Sequence, residues 1–460
     1  MARCCLLVLL GCLHALPCAS RAAPGDVDPS FLPVLDGPVY AIAVQPDQRI
    51  VVGGGFTNVN GISRPYLARL LPDGTPDESF DAGAIPTKPV ESLVVDSNGR
   101  IAFSFGNRVV RVTSTGKREP TNNFAPIPWH DALFYSQDAQ FNLPGKINVL
   151  TLDSSGRILV GGQFTRYEAT NGMRTTRAYV ARLWFDGRLD FSFVPQTDPL
   201  AAPELEVRSL LHQPDGKIVV AGWVYEMPSG AEKRLIGIFR LTSTGAIDRG
   251  FTNGFANAHH LTVSGAALQA DGKIVAMGVM FTNDYIGPRH NFLMRLNADR
   301  STDPTFIESS PVTTFFKDLL VQQRNGKVLV FSGGKTLARY LPDGNKDSTF
   351  GFESPTNDFP IRAVAFQSDG RILIGGQLGT NFLARLIGSA DARFEAITRQ
   401  PNQRMQFRLR GETYQPYQLQ SSSNLVHWTS GATASSTNGL IEFEHTNSPP
   451  RRFFRALQVP

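Results

Sequence analysis

One short unit recurs along most of this chain, and it constrains the fold more than any other feature. Its clearest copy reads RIVVGGGF at 49–56 and continues as YLARLLPDGTPDESF at 66–80. Each copy joins two apolar runs through a turn rich in Asp, Asn and Gly, which is the pattern of a β-hairpin. Further copies of the first half begin at residues 100, 157, 217, 273, 327 and 371. Seven copies at similar spacing indicate a repeat architecture.

The second half of each unit carries an arginine, a tight turn and, in most copies, the pattern Asp-x-x-Phe. The arginines are Arg69, Arg111, Arg182, Arg240, Arg295, Arg339 and Arg385. The Asp-x-x-Phe pairs are Asp77/Phe80, Asp190/Phe193, Asp248/Phe251, Asp303/Phe306 and Asp347/Phe350, and Thr121 replaces the Asp before Phe124. Because these residues recur once per unit, we interpret them as structural. Each Arg is expected to pair with an Asp or a turn carbonyl, and each Phe to pack between neighbouring units.

The spacing of the units predicts a propeller. Equivalent turn glycines are 44 residues apart between Gly326 and Gly370 and 60 apart between Gly156 and Gly216, which accommodates four short strands. We therefore predict an all-β protein: a seven-bladed β-propeller followed by a small antiparallel β-sandwich. The segment GDVDPSF at 25–31 has the end of a unit without its start, so Asp28–Phe31 is expected to complete blade seven. The competing segment is SADARF at 389–394.

The motifs of the unit also resemble a known family. The (K/R)-I-x-V-x-G core, the A-R-L-x-P-D-G run and the D-x-S-F ending resemble the delta-60 repeat family of bacterial β-propeller proteins. The resemblance covers residues from about 25 to 394 and implies a propeller, without implying a reaction. LQSSSNLVHW (419–428) and RRFFRA (451–456) resemble C-terminal modules of secreted proteins from planctomycete- and verrucomicrobium-type bacteria.

These patterns divide the chain into three expected segments. Residues 1–22 have the features of a signal peptide, with Arg3 before an apolar run and small residues at the cleavage point. Residues 25–394 are the expected propeller, and residues 395–460 are the expected β-sandwich. The leader predicts a secreted, periplasmic or cell-surface protein, and its apolar run is too short for a transmembrane segment.

Composition gives no reason to expect a disulfide in the mature protein or a nucleic-acid partner. All four cysteines, Cys4, Cys5, Cys12 and Cys18, lie in the leader, so the mature protein is predicted to have no disulfide. Removal of the leader lowers the formal charge from +5 to +3 by taking away Arg3 and Arg21. A nearly neutral chain of this length gives no reason to expect a nucleic-acid partner.

The irregular loops are predicted to share one end of the molecule. The tight turns follow strands one and three of each unit, so the loops after strands two and four emerge at the opposite end. We call that end the loop face. It includes residues 57–65, 125–145, 165–178, 194–206, 225–234, 252–260 and 282–290. Long loops on a rigid scaffold are where binding residues concentrate.

Three of these loops supply the candidate ligand-binding residues. They are Trp129, His130, Tyr135, Tyr167, Arg174, Tyr285 and Arg289. Aromatic rings beside polar groups suit stacking on a sugar or a peptide, and a basic rim suits an acidic polysaccharide. Two plainer interpretations stay open: a loop that buries its own aromatics, and a solvated polar surface.

The leading hypothesis is an exported, non-catalytic binding or adhesion protein that holds a glycan or an extracellular protein at the loop face. No cofactor and no metal site are predicted, because His259 and His260 point to opposite sides of an extended backbone. Catalytic residues are not identified. A glycan-cleaving enzyme, either a hydrolase or a lyase, remains an alternative, as does a structural spacer. An enzyme would use a pair of carboxylates from Asp131, Asp138, Glu168, Glu226 and Asp284.

Overall fold

The fold is taken from a computed structural model that describes residues 23–459 apart from short gaps. The gaps are residues 84, 118–131, 136–144, 169–172, 185, 197–205, 224, 227–233, 236, 252–259, 282–288, 308–318, 324, 333–335, 353–360, 379–380, 389–392, 401–403, 413, 424–426 and 446–452. Every regular secondary-structure element in the described residues is a β-strand. The predicted all-β class is therefore confirmed.

The strands follow one another along the chain with short connections. In the first three units they are β1 (Val39–Val44), β2 (Ile50–Gly54), β3 (Asn58–Val59), β4 (Ile62–Ser63), β5 (Leu67–Leu70), β6 (Val90–Val95), β7 (Ile101–Phe105), β8 (Arg108–Val112), β9 (Ala132–Tyr135), β10 (Lys146–Leu152), β11 (Ile158–Gln163), β12 (Arg166–Glu168), β13 (Arg174–Thr176) and β14 (Val180–Leu183). In the next four units they are β15 (Glu206–His212), β16 (Ile218–Trp223), β17 (Tyr225–Glu226), β18 (Arg234–Leu235), β19 (Ile238–Leu241), β20 (His260–Leu268), β21 (Ile274–Phe281), β22 (Arg289–Leu296), β23 (Leu319–Gln322), β24 (Val328–Ser332), β25 (Thr336–Tyr340), β26 (Ile361–Phe366), β27 (Ile372–Leu378) and β28 (Asn381–Leu386). The C-terminal strands are β29 (Arg393–Arg399), β30 (Met405–Arg410), β31 (Tyr417–Ser422), β32 (Thr429–Ala434), β33 (Leu440–His445) and β34 (Phe453–Gln458).

Each unit folds as an antiparallel sheet of three consecutive main strands. The sheets are β1-β2-β5, β6-β7-β8, β10-β11-β14, β15-β16-β19, β20-β21-β22, β23-β24-β25 and β26-β27-β28. The predicted hairpins between the first two runs of each unit are thus confirmed. Their turns use positive φ, as at Gly99 (77°) and Gly156 (77°), whereas Gln48 (69°) takes this position in the first unit.

The first strands of the sheets lie side by side in a closed series. Strand β1 neighbours β6, and the series continues through β10, β15, β20, β23 and β26 back to β1. This order places the first strands around a common axis and the later strands further out. A propeller arranges its blades in this way, because closure leaves no long exposed sheet edge.

The hydrophobic core lies between neighbouring sheets. Phe80, for example, is fully buried among residues of the first sheet, such as Val51, and of the second, such as Val90. The equivalent phenylalanines Phe193, Phe251, Phe306 and Phe350 bridge successive pairs of sheets in the same manner. The prediction that the repeated Phe packs between units is confirmed.

The predicted fourth strand is reduced to a short segment with one bridging pair. The pairs are Leu70 with Pro76, Leu183 with Leu189, Leu241 with Ile247, Leu296 with Thr302, and Tyr340 with Lys346. Each segment is held by an ion pair between the repeated Arg and Asp, as in Arg182–Asp190 at 2.8 Å. The same arginine donates to the carbonyl of Ser243 in the next unit at 2.9 Å. Both predicted partners of the Arg are therefore present.

The N-terminal segment completes the last unit. Val27 bridges Leu386 of β28, and Asp28 pairs with Arg385 at 3.0 Å. Phe31 is buried between the last sheet and the first. The prediction for Asp28–Phe31 is confirmed, whereas the competing Phe394 lies in β29 and packs in the C-terminal core.

The C-terminal strands form two three-stranded sheets around a separate core. Their orders are β29-β30-β33 and β32-β31-β34, and both contribute to one hydrophobic cluster. Glu412 of this part contacts the sixth unit, where its carboxylate lies 2.9 Å from Lys327 and 3.0 Å from Arg339. Both cations are 0% exposed. The contact joins the C-terminal part to the end of the sixth unit that carries the tight turns.

None of the described residues belongs to a helix that is long and apolar enough to cross a membrane.

Candidate functional site at the loop face

The structure describes only some of the predicted ligand-binding residues. Trp129, His130 and Tyr285 lie outside the described residues, as do the carboxylates Asp131, Asp138 and Asp284. The described part of the loop face consists of the strands that emerge from the loops and the ends of the main strands.

The loops of the second and third units pair with each other. Strand β9 from the 125–145 loop pairs with β8 of its own unit and with β12 of the next unit. Strand β13 then pairs with β12, so the second sheet grows to six strands. Tyr135 at the end of β9 is half-buried, and the Arg166 guanidinium lies 4.9 Å from its ring centre. These two loops are therefore an extension of the sheet.

Tyr167 is a core residue in this extension, which corrects its assignment as a ligand contact. Its side chain is 1% exposed and lies edge-on to Phe134, with ring centres 5.8 Å apart. Burial raises the pKa of its phenol to about 12. Pairing of β12 with β9 turns this ring toward Phe134, so it presents no surface to a ligand.

Arg174 is exposed on β13, where its guanidinium pairs with Glu168 at 2.9 Å. Glu168 is therefore half-buried beside a cation. Arg289 opens β22, and its backbone pairs with Phe281. Among the predicted residues, Tyr135 and Arg174 are brought to one sheet extension, whereas Arg289 lies on the fifth unit.

A feature that the sequence interpretation missed lies closer to the axis. In six first strands the pairing with the second strand is interrupted by one extra residue, which is a β-bulge. The bulged residues are Tyr40, Glu91, Asn148, Arg208, Ser264 and Arg362. The first strands run from the loop face toward the turns, so the bulges sit where the axial channel opens at the loop face. We call this ring of six residues the channel mouth.

Glycines on the second strands make the bulges feasible. A Cβ on Gly162 would lie 2.0 Å from the carbonyl oxygen of Lys146, and one on Gly222 would lie 2.0 Å from that of Glu206. The glycine before it has a different neighbour, since a Cβ on Gly161 would lie 2.7 Å from Val207 of the next unit. In the repeated Gly-Gly pair, the second glycine leaves room for the bulge, and the first leaves room for the side chains of the adjacent sheet.

The six side chains at the channel mouth are of five types, although their setting repeats. Each lies five residues before the Gln or Asp that begins the turn, as Tyr40 does before Gln45 and Arg208 before Gln213. All six are half-buried or exposed. This constant offset combined with changing chemistry is the signal that could have identified them from sequence.

One side of the mouth holds a charged cluster between the third and fourth units. The Asn148 amide donates to the Glu206 carboxylate at 3.0 Å, and Lys146 and Arg208 lie 3.3 and 3.2 Å from the same group. Burial acts to raise the pKa of Glu206, but Arg208 and Lys146 outweigh it and hold that pKa below its ordinary value. Glu206 is therefore ionised near neutral pH and is unsuited to act as a general acid.

Two arginines at the mouth rest on aromatic rings. The guanidinium of Arg208 lies 4.9 Å from the ring centre of Trp223. That of Arg362, which is exposed, lies 5.4 Å from the ring centre of Tyr40. Such contacts fix the plane of the guanidinium and so orient its N–H groups.

The described residues contain no group of three or more His, Cys, Asp or Glu side chains placed to hold a metal ion.

Comparison with known families supports the propeller. A family model described as a domain of unknown function (DUF5122) β-propeller matches residues 45–80, 154–193, 213–251 and 269–306. These stretches fall in the first, third, fourth and fifth units. Together with the all-strand architecture, the match assigns the chain a β-propeller fold. No curated protein matches the sequence.

Several solved structures align with this chain at low identity. PorZ of Porphyromonas gingivalis, described as a surface component of the type-IX secretion system, is 13% identical with a TM-score of 0.45, and the alignment covers 97% of this chain and 61% of that one. YCF48 bound to D1 peptide is 12% identical with a TM-score of 0.41, covering 80% and 98%. Raptor from Chaetomium thermophilum is 13% identical with a TM-score of 0.42, covering 76% and 29%. The chain thus spans about three fifths of the PorZ length.

Proposed function

We propose that this protein is an exported, non-catalytic binding protein whose loop face holds a glycan or an extracellular protein. The observation that carries the proposal is the channel mouth, where a backbone feature repeated in six units displays side chains of five different types. The repeated Arg and Asp at the end with the tight turns are paired within the scaffold, as in Arg182–Asp190. Variable polar groups on a rigid frame are characteristic of a binding surface.

The proposal includes an architecture. We infer seven blades of the delta-60 type over residues 25–394 and a β-sandwich over 395–460 that resembles modules of secreted proteins. The seven repeat sheets, the closed series of first strands and the two C-terminal sheets support this division. Export is supported by the leader pattern in residues 1–22, which lie outside the described residues.

Binding is favoured over glycan cleavage by the state of the described carboxylates. Glu168 is paired with Arg174, and the pKa of Glu206 is held low by its cations. A glycosidase needs one carboxylic acid that stays protonated near the working pH. A structural spacer would need no variable ring of polar groups at the axis.

The test is a glycan array probed with the chain lacking residues 1–22, together with titration of candidate extracellular proteins. Any ligand is then measured against Trp129→Ala and Arg174→Ala on the loop face, with Arg188→Ala as control. Arg188 is an exposed arginine in a tight turn, paired with Asp186 at 2.6 Å. We expect weaker binding for a loop-face variant and unchanged binding for the control.

Three outcomes would contradict the proposal. Release of shortened sugars during incubation would assign an enzyme. Loss of binding in Arg188→Ala alone would move the site to the other end. Absence of any glycan or protein ligand would leave the spacer as the function.

A further inference from the structure

The two arginine–aromatic pairs of the channel mouth lie on opposite sides of the axis. Arg208 belongs to β15, whereas Arg362 and Tyr40 belong to the neighbouring strands β26 and β1. In the closed series, β15 is three first strands away from β1 and also three away from β26. Arg208 and Arg362 therefore lie on opposite sides of the ring of first strands.

Arg362 differs from the arginines of the repeat in how its charge is used, whereas Arg208 already lies 3.2 Å from the Glu206 carboxylate. Six of the seven repeat arginines are bound to an Asp, as Arg339 is to Asp347 at 2.8 Å. Arg362 is exposed and its described contact is the Tyr40 ring. A guanidinium that is oriented by a ring and open to solvent loses little freedom when it binds a carboxylate in bidentate fashion.

Polar atoms beside Arg208 lack partners within the protein. The Oδ1 atom of Asn148 and the Nε atom of Arg208 are buried without a hydrogen bond in the described structure. Buried polar atoms are costly unless they are bonded, so a ligand that supplies a hydroxyl and an anionic oxygen here is favoured. The mouth also carries the carboxylates of Glu91 and Glu206, which accept hydrogen bonds from sugar hydroxyls and repel a dense polyphosphate.

We propose that the channel mouth binds a carboxylated glycan, a chain containing hexuronate residues, with its carboxylates paired to Arg362 and Arg208. Asn148 and Glu91 supply hydrogen bonds to hydroxyl groups. Because the two arginines are on opposite sides, one sugar residue reaches only one of them, and an oligomer engages both. This inference rests on the proposed function and specifies the chemistry of its ligand.

The test is calorimetric titration of the mature chain with oligomers of galacturonate, of mannuronate–guluronate and of a glucuronate-containing glycan. For the oligomer that binds best, the methyl ester keeps the sugar and removes the charge, and a sulfated oligomer separates carboxylate from sulfate recognition. We expect esterification to weaken binding by about tenfold or more, as loss of a charged hydrogen bond does. Monosaccharides are expected to bind more weakly than oligomers, and added salt to reduce affinity.

Arginine variants test whether the acidic oligomer binds at the channel mouth. Arg362→Ala is expected to weaken binding about tenfold, with Arg362→Lys intermediate because it keeps the charge and loses the bidentate geometry. Arg208→Ala should act similarly, and thermal unfolding reports whether its loss disturbs the fold. Arg188→Ala serves as the exposed arginine control and should bind as the parent chain does.

Equal affinity for the acid and its ester, a preference for the sulfated oligomer, or unchanged binding in Arg362→Ala would overturn the assignment. If none of the acidic oligomers binds but a neutral glycan or a protein binds at the loop face, this inference fails and the proposed function stands. If the array and the protein titrations are also blank, both fail.

Discussion

The two ends of the propeller use charge in opposite ways. At the end with the tight turns, each repeated Asp holds two cations, as Asp190 does with Arg182 at 2.8 Å and Arg157 at 3.2 Å. At the channel mouth, the equivalent positions carry Tyr40, Glu91 or Arg362 and share no common partner. The repeated ion pairs at the turn end stabilise the fold, whereas the varied side chains at the channel mouth form a surface particular to this chain. The comparison predicts that substitutions at the turn end change stability, whereas those at the mouth change binding.

The sixth unit has the most deeply buried ion pairs of the turn end. Lys327 and Arg339 are 0% exposed and share the carboxylates of Asp347 and Glu412. In other units the corresponding lysine or arginine is partly exposed, as Lys273 is at 31%. The second carboxylate is what allows a lysine to be buried beneath the C-terminal sheets.

Removal of Asp347 should have the largest effect. Asp347→Ala leaves two buried cations with one carboxylate, and we expect a loss of about 3–5 kcal/mol of unfolding free energy. Urea denaturation followed by circular dichroism measures it. The control is Asp215→Ala, whose carboxylate is 54% exposed and whose removal should cost less than about 0.5 kcal/mol. Similar losses in both variants would remove the distinction between buried and exposed pairs.

Acid should act through the same carboxylate. Burial acts to raise the pKa of Asp347, but Arg339, Thr349 and Lys327 lower it from 3.8 to about 2. A folded pKa below the unfolded one stabilises the protein above about pH 4, and this contribution of about 2 kcal/mol disappears as pH falls through 2. Unfolding free energies at pH 5, 3 and 2 should therefore fall less steeply in Asp347→Asn than in the parent chain. Parallel slopes would show that other groups carry the acid sensitivity.

The bulges should be sensitive to their glycines. In Gly162→Ala the new methyl group would lie 2.0 Å from the carbonyl oxygen of Lys146, so the strands must separate. We expect a loss of about 1–3 kcal/mol, as for other overpacked positions. Gly351→Ala is the matched control, because no atom lies within 4 Å of its added Cβ. If both variants have equal stability, the glycine is not required by the bulge.

Arg362→Ala should have the smallest effect on stability. Its side chain is exposed and rests on Tyr40 alone among the described contacts, so we expect a change within about 0.5 kcal/mol. Thermal unfolding beside the titrations described above measures both properties on one variant. A marked loss of stability would make Arg362 part of the frame rather than of the binding surface.

The repeat made most of the fold predictable, because its determinants are local. Arg240, Asp248 and Phe251 lie within one unit and recur in others, so pairing and packing could be inferred together. The N-terminal closure was also predictable, since Asp28 and Phe31 carry the same pattern without a preceding hairpin.

The binding surface was less predictable because it depends on pairing between distant segments. The register of β9 with β12 buries Tyr167 against Phe134, and no local pattern in either loop specifies that register. Asn148 and Arg208 were overlooked because the binding residues were expected in the loops. The bulges do leave a mark, since the buried residues around them are three apart, as Ile147 and Leu150 are. Glu412 carries no sequence mark of its contact with Lys327, 85 residues earlier.

The bond between Asp28 and Arg385 joins residues 357 positions apart. It holds the N-terminal segment against the last sheet of the propeller. The same segment gives β28, the outer strand of the last sheet, its bridge to Val27. The last sheet is therefore completed by a segment that precedes the first sheet in the chain, so the two ends of the repeat region depend on each other.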